Sequence, residues 1–190
     1  QAMKDDGIEY ELAAATQALP RAVRVAEKLR VFVEWVGRWG AWLSIPVVLT
    51  SHTYENGKNE QSHQDPTLCE ALMGEPAWLS RVVFPADYNS AAAVMESLFR
   101  TRGQIWTIVI PKRDMPVIFD GETARSLARE AIVRLAWSDR AQILLTAIGA
   151  YQLHQTLKAA QRLKERGEEI SLLYLLEPRR LSQPRSAAET

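Results

Sequence analysis

The sequence carries a single cysteine, Cys69, so no disulfide can form within the chain. It holds no uninterrupted apolar run near the roughly 18 residues that a membrane-spanning helix needs. Net charge is absent too. Lys+Arg and Asp+Glu balance at 23 each, which removes any overall pull toward nucleic acid or an acidic membrane surface. No glycine-rich phosphate loop occurs, and histidine is scarce, at 3 in 190 residues. The opening "QAMKDDGIEYEL" lacks the charged-then-apolar pattern of a signal peptide. These absences make a cytoplasmic protein, without nucleic-acid or membrane partners, the expectation. What is present is apolar residue, 47% of the chain, enough for a sizeable core.

Residues 11–26 are Ala-rich and helix-prone, with Pro20 as a break or first-turn residue. In "VFVEWVGRWGAWLS", Phe32, Trp35, Val36, Trp39, Trp42 and Leu43 recur at the steps of one helix face. This stripe is either core packing or a subunit interface, where aromatics are enriched. A base-stacking platform lacks the surrounding positive charge it needs.

Downstream the pattern alternates. "IPVVLTS" (45–51), "SRVVFP" (80–85) and "QIWTIVIPK" (104–112) read as buried strands. "PTLCEALMG" (66–74) reads as a short helix with Cys69 on its apolar face. A longer helix follows Asp87 and Asn89, both capping candidates, with Val94, Met95, Leu98 and Phe99 on one face. The predicted class is α/β, a parallel sheet with flanking helices. Proline, an Asp-Gly pair and polar residues mark a boundary at 113–124. Beyond it "ARSLAREAIVRLAW" reads as a helix, "AQILLTAIGA" as a strand, "YQLHQTLKAAQRLKERG" as a helix and "EISLLYLLEP" as a strand. That is one βαβ unit opening a second domain, followed by the polar tail "RRLSQPRSAAET".

Ligands of open parallel sheets bind beyond the carboxyl ends of the strands. The first strand runs into "SHTYENGKNEQSHQDP" (51–66), where His52, Asn59 and His63 lie; Lys112 ends the third. An imidazole exchanges protons near neutrality, an amide holds hydroxyl or carbonyl oxygens, and a lysine attracts phosphate. A sugar phosphate suits that set. Bland readings stand beside it. His52 can be a core histidine, Asp65 a helix cap, Lys112 a solvated strand end, and His154 a structural residue on a later helix. Zinc held by His52, His63 and Cys69 fits no common ligand spacing.

The loop resembles that of the phosphoketolases, thiamine-diphosphate enzymes related to transketolase, which reads S-H-x-W-R-x-D-H-N-G-F-S-H-Q-D-P-G. Ser51, His52, Asn59, Ser62, His63, Gln64, Asp65 and Pro66 keep that pattern in register. The next stretch is similar as well: a strand ending in P-x-D-x-N, a helix, then a strand ending in Lys, matched by Pro85, Asp87, Asn89, Arg102 and Lys112. The segment from "AQILLTAIGA" to "LLYLLEP" resembles the opening of the transketolase-type C-terminal domain.

The resemblance implies a transketolase pyrimidine-domain fold. It divides the chain into a partial pyrimidine-binding domain (1–115), a linker (116–122), the start of the C-terminal domain (123–180) and a polar tail (181–190). It implies a carbon–carbon lyase (an aldehyde-lyase) that cleaves a ketose phosphate with inorganic phosphate to acetyl phosphate and an aldose phosphate. The complete enzyme would use thiamine diphosphate with Mg²⁺ and act as a homo-oligomer. His63 and Asn59 would be catalytic, facing the two-carbon intermediate, while Lys112, His52 and Lys58 would bind substrate. Neither metal ligands nor cofactor-binding residues are assigned; the family's activating Glu has no matching segment in residues 1–30, where Glu9 and Glu11 are weak candidates. The expected partner is a diphosphate-binding domain or second subunit, and the chain alone is expected to be inactive and to hold no cofactor.

The loop also departs from the pattern. Tyr54 stands for the family's Trp, Glu55 for its Arg, Gly57 for its Asp, Lys58 for its His, Glu60-Gln61 for its Gly-Phe and Thr67 for its last Gly. Glu55 reverses a charge, and an ammonium cannot relay a proton as an imidazole does. The alternative is therefore a non-catalytic assembly module that keeps the fold. The stripe of Trp35, Trp39 and Trp42 is expected to pack against another chain or domain, because such a face is too apolar for a free monomer. Sedimentation should show self-association or stickiness; a monodisperse monomer at high concentration speaks against it.

Overall fold

The computed structural model describes residues 43–50 and 67–182. Three strands form a parallel sheet in the order β1-β3-β2: β1 Ile45–Leu49, β2 Ser80–Val83 and β3 Ile105–Val109. The middle strand, "IWTIV", is buried at every residue, as a central strand covered on both faces must be. Ile45 pairs with Ile105 and Leu49 with Val109 on one side; Ser80 pairs with Ile105 and Val83 with Ile108 on the other.

Helix α1, Thr67–Met73, leads into β2 and packs Leu68, Cys69 and Leu72 against Val82 and Val109. Helix α2, Tyr88–Phe99, joins β2 to β3. Asp87 caps it as expected. Its side chain accepts from the Ser90 N–H, and the Ser90 hydroxyl accepts from the Asp87 N–H, so two orphan donors are satisfied reciprocally. Asn89 does not cap; its Nδ2 donates to the Phe119 carbonyl at 2.7 Å. Val94 and Leu98 are buried, whereas Phe99 is 60% exposed, because it lies a further 100° or so round the helix from Leu98.

The second sheet has the order β4-β6-β5: β4 Ile132–Ala136, β5 Ile143–Ile148 and β6 Ile170–Leu175. Helix α3, Gly121–Glu130, precedes it, and helix α4, Ala150–Glu165, is the crossover between parallel β5 and β6. One sequence expectation is corrected here. The helix read through Trp137 stops at Glu130, and Ile132–Ala136 form a strand antiparallel to β6. Ala131 turns the chain with a left-handed φ of 64°, its N–H on Leu127 O at 2.8 Å and its carbonyl taking the Leu176 N–H at 2.8 Å. Pairing with β6 and the β-branched pair Ile132–Val133 outweigh the helical preference of the Ala, Leu and Arg around them. The α/β fold with a parallel sheet and flanking helices stands.

One apolar cluster runs across both sheets, from Val83, Val94, Leu98, Trp106 and Ile108 to Leu127, Leu153, Leu172 and Tyr174. Polar ties cross the same junction. The Phe84 N–H donates to Leu176 O at 2.8 Å, and the Tyr174 hydroxyl donates to Phe84 O. Burial, reinforced by the Asp87 charge against a hydrogen bond from Gly149, pushes the Tyr174 phenol above its ordinary value. Arg81 of β2 grips Glu177 with both Nε (2.9 Å) and Nη2, and its guanidinium lies 3.8 Å from the centroid of the Trp106 ring. Arg180 adds its Nε at 3.2 Å from Glu177. Because Glu177 is 3% exposed, Glu177→Ala leaves the Arg81 guanidinium sunk and unpaired. Urea titration should show a loss of about 3 kcal/mol; a loss within experimental error would mean that water or Trp106 alone satisfies Arg81.

Candidate functional site

The direction of the first sheet decides where its chemistry can gather. All three strands are parallel, so their carboxyl ends lie on one edge. β1 and β3 are neighbours there: the Ile110 N–H donates to Leu49 O at 3.0 Å, and Thr50 follows at once. The segment that leaves β1 therefore starts beside the segment that carries Lys112. Lys112 lies three residues past Val109 and is exposed. His52, Lys58, Asn59 and His63 lie outside the described residues, as do Trp35, Trp39 and Trp42.

At the same edge, between the exits of β2 and β3, a cleft of about 250 Å³ opens. Pro85, Asp87, Tyr88, Pro111, Arg113 and Asp114 line it. Tyr88 is 77% exposed and offers a phenol at the mouth. Arg113 and Asp114 bring a cation and a carboxylate to the rim beside Lys112. Such a rim suits a polar, hydroxyl-bearing, anionic ligand. The Asp87 carboxylate is buried and fully engaged. Oδ1 accepts from Ser90 N (2.8 Å) and Ser90 Oγ (2.7 Å), and Oδ2 accepts from Ile118 N and Phe119 N, each at 2.7 Å. Sequence reasoning gave Asp87 a cap and a place in the P-x-D-x-N match, and did not single out Tyr88, Arg113 or Asp114. The second tie of Asp87 reaches residues 31 and 32 positions away, which no local pattern reveals.

Cys69, one arm of the zinc reading, is a buried thiol on α1. Burial, with the Glu70 charge adding to it, pushes it up to about 12 from an ordinary 9.0. A thiolate is the form that binds metal or attacks electrophiles, so this site disfavours both roles. His154 is half-buried on α4, which packs on the second sheet. Among the described residues no cluster of three or more His, Cys, Asp or Glu side chains is arranged to hold a metal ion. The donors among the described residues do not form a site that fits a Mg²⁺–diphosphate group.

Residues 26–101 match the family described as D-xylulose 5-phosphate/D-fructose 6-phosphate phosphoketolase. The chain is related to the phosphoketolases. A probable phosphoketolase of Pseudomonas putida is 30% identical over 131 residues, 67% of this chain and 17% of the relative. One from Lactococcus lactis is 29% identical over 128 residues, 64% of this chain and 16% of the relative. The chain thus spans about a sixth of the length of these phosphoketolases. A transketolase mutant of Pichia stipitis in complex with fructose 6-phosphate superposes with a TM-score of 0.64 at 16% identity, over 82% of this chain and 22% of that one. A transketolase of Campylobacter jejuni gives 0.53 at 16% identity, over 70% and 20%. These structures share the transketolase-type fold that the phosphoketolase resemblance implies.

The raised thiol predicts a pH effect of defined sign. A group whose folded-state pKa lies above its unfolded value contributes stability that is complete below about pH 9 and lost as pH rises through about 12. Relative to Cys69→Ala, the wild type should lose stability across that window in denaturant titrations. The folded thiol should also resist a disulfide reagent at neutral pH and react once the chain unfolds; rapid reaction in the native state contradicts the assignment.

Proposed function

We propose that the chain supplies the pyrimidine side of a phosphoketolase-like enzyme, which cleaves a ketose phosphate with inorganic phosphate to acetyl phosphate and an aldose phosphate. The observation that carries this reading is the match of residues 26–101 to the phosphoketolase family, with the SHQDP stretch at its centre. The fold supports it: the exits of β1 and β3 lie side by side, so the loop bearing His52, Asn59 and His63 begins next to the Lys112 segment. In this reading His63 moves protons at the two-carbon unit and Asn59 holds its oxygen. His52 and Lys58 contact sugar hydroxyls, and Lys112 holds the phosphate. Thiamine diphosphate supplies the carbanion chemistry. Its diphosphate and Mg²⁺ are held by a partner domain or subunit of a homo-oligomeric cytoplasmic enzyme.

A second reading, a non-catalytic assembly module, is favoured by Glu55 and Lys58, which replace residues of opposite charge and of different proton chemistry in the family's loop. The test is acetyl phosphate production by the protein assembled with its diphosphate-binding half, given xylulose 5-phosphate or fructose 6-phosphate, inorganic phosphate, thiamine diphosphate and Mg²⁺. His63→Ala is expected to cut turnover by about 10²–10⁴-fold and to change stability by less than roughly 0.5 kcal/mol. His52→Ala, nearer the strand, is expected to cost stability as well. Near-normal turnover of His63→Ala removes the catalytic role, and an assembled protein that makes no acetyl phosphate supports the module.

A further inference from the structure

The segment from Ile110 to Asp120 has no regular secondary structure, yet it is tied at both ends. Its start is bonded through Ile110 N to Leu49 O. Its end is bonded through the N–H groups of Ile118 and Phe119 to Asp87 Oδ2, and through the Phe119 carbonyl to Asn89 Nδ2. The Phe119 ring is buried against Tyr174, with centroids 5.7 Å apart. Between these ties the chain brings Arg113 and Asp114 into the lining of the cleft, with the exposed Lys112 next to them in sequence.

Asp87 does more here than a cap requires. A helix cap needs one acceptor oxygen, which Ser, Thr or Asn supplies as well. Asp87 spends Oδ1 on Ser90 and offers Oδ2, a second full acceptor, to two converging amides 31 and 32 residues away. Among side chains of this length only an ionised carboxylate has two acceptor oxygens; Asn would turn an NH₂ group against two N–H donors. Hydrogen bonds to a buried charge are also the stronger kind.

We propose that Asp87, seconded by Asn89, is a positioning residue that tethers the Ile110–Asp120 segment to the start of α2 and so holds the Lys112–Asp114 stretch beside the cleft for a phosphate-bearing ligand. The ligand half of this inference rests on the reading of Lys112 as the phosphate-holding group. The tether orders the segment before ligand arrives, so that less conformational freedom is lost on binding. It acts through the backbone of Ile118 and Phe119, not by touching the ligand.

The test compares Asp87→Asn with Ser90→Ala in the full chain. Asn keeps an oxygen for the Ser90 N–H but removes the acceptor for Ile118 and Phe119. Ala at 90 removes the hydroxyl's bonds while leaving the Asp87 carboxylate to the segment. Amide exchange followed by NMR is expected to show protection of Ile118 and Phe119 falling by on the order of ten-fold or more in Asp87→Asn, with the later amides of α2 unchanged. Ser90→Ala should leave those two amides protected. Titration with inorganic phosphate should shift the amides of residues 112–114 in the wild type and in Ser90→Ala, and the apparent Kd should rise about three- to ten-fold in Asp87→Asn. Unchanged protection at Ile118 and Phe119 in Asp87→Asn overturns the tether, as does equal loss across α2 and the segment in both variants. Phosphate that shifts none of 112–114 in the wild type overturns the phosphate-holding role of Lys112 and the purpose of the tether with it. The exchange data decide separately whether the tether exists.

Discussion

Parallel pairing on β3 is the constraint from which the other features follow. A strand buried on both faces must satisfy its backbone through neighbours on both sides, and β1 and β2 do so in register with Ile105 at each start. Because both run parallel to it, each chain exit falls on one edge. The edge then collects the end of β1 at Thr50, the Pro85–Asp87 turn and the Lys112 segment without any of them needing to be close in sequence. Reversing one strand would move its exit to the far side and disperse the set.

The second sheet completes the first. Tyr174 and Glu177 come from the end of β6 and beyond it, yet they bond Phe84 and Arg81 at β2. The Arg81 guanidinium is held between a carboxylate and the Trp106 ring, so charge, hydrogen bonding and stacking act on one group. Phe119 carries the same junction into the segment below the cleft by packing on Tyr174. The stability of the junction and the shape of the candidate site are thus coupled through a few buried side chains, since a close-packed interior transmits displacement.

Relationship to the phosphoketolases and likeness to transketolase structures bear on different levels. The first comes from residues 26–101 and the loop they include; the second comes from the path of the backbone at 16% identity. A shared fold hosts several chemistries, so the function argued for this chain rests on side chains at the carboxyl edge rather than on the sheet itself. The departures at Glu55 and Lys58 from the family's pattern lie in the loop after β1 and not in the sheet.

Much was legible in local sequence. Alternating apolar strands and helices, the cap at Asp87, the buried thiol of Cys69 and the parallel α/β class all follow from short-range patterns that the structure bears out. Position of Lys112 just past a strand end was legible for the same reason. The strand at Ile132–Ala136 was not, because the Ala, Leu and Arg in and around it favour a helix and the β-branched Ile132–Val133 prevails only with pairing to β6, about 40 residues on. Nor could sequence show that Asp87 serves two elements, or that Arg81 meets Glu177 across 96 residues. Local patterns determine which residues cap, alternate or bury, because those energies act within a turn or a pleat. Which distant donor meets which acceptor is decided only when the sheets close on each other, since each such contact depends on the placement of both partners at once.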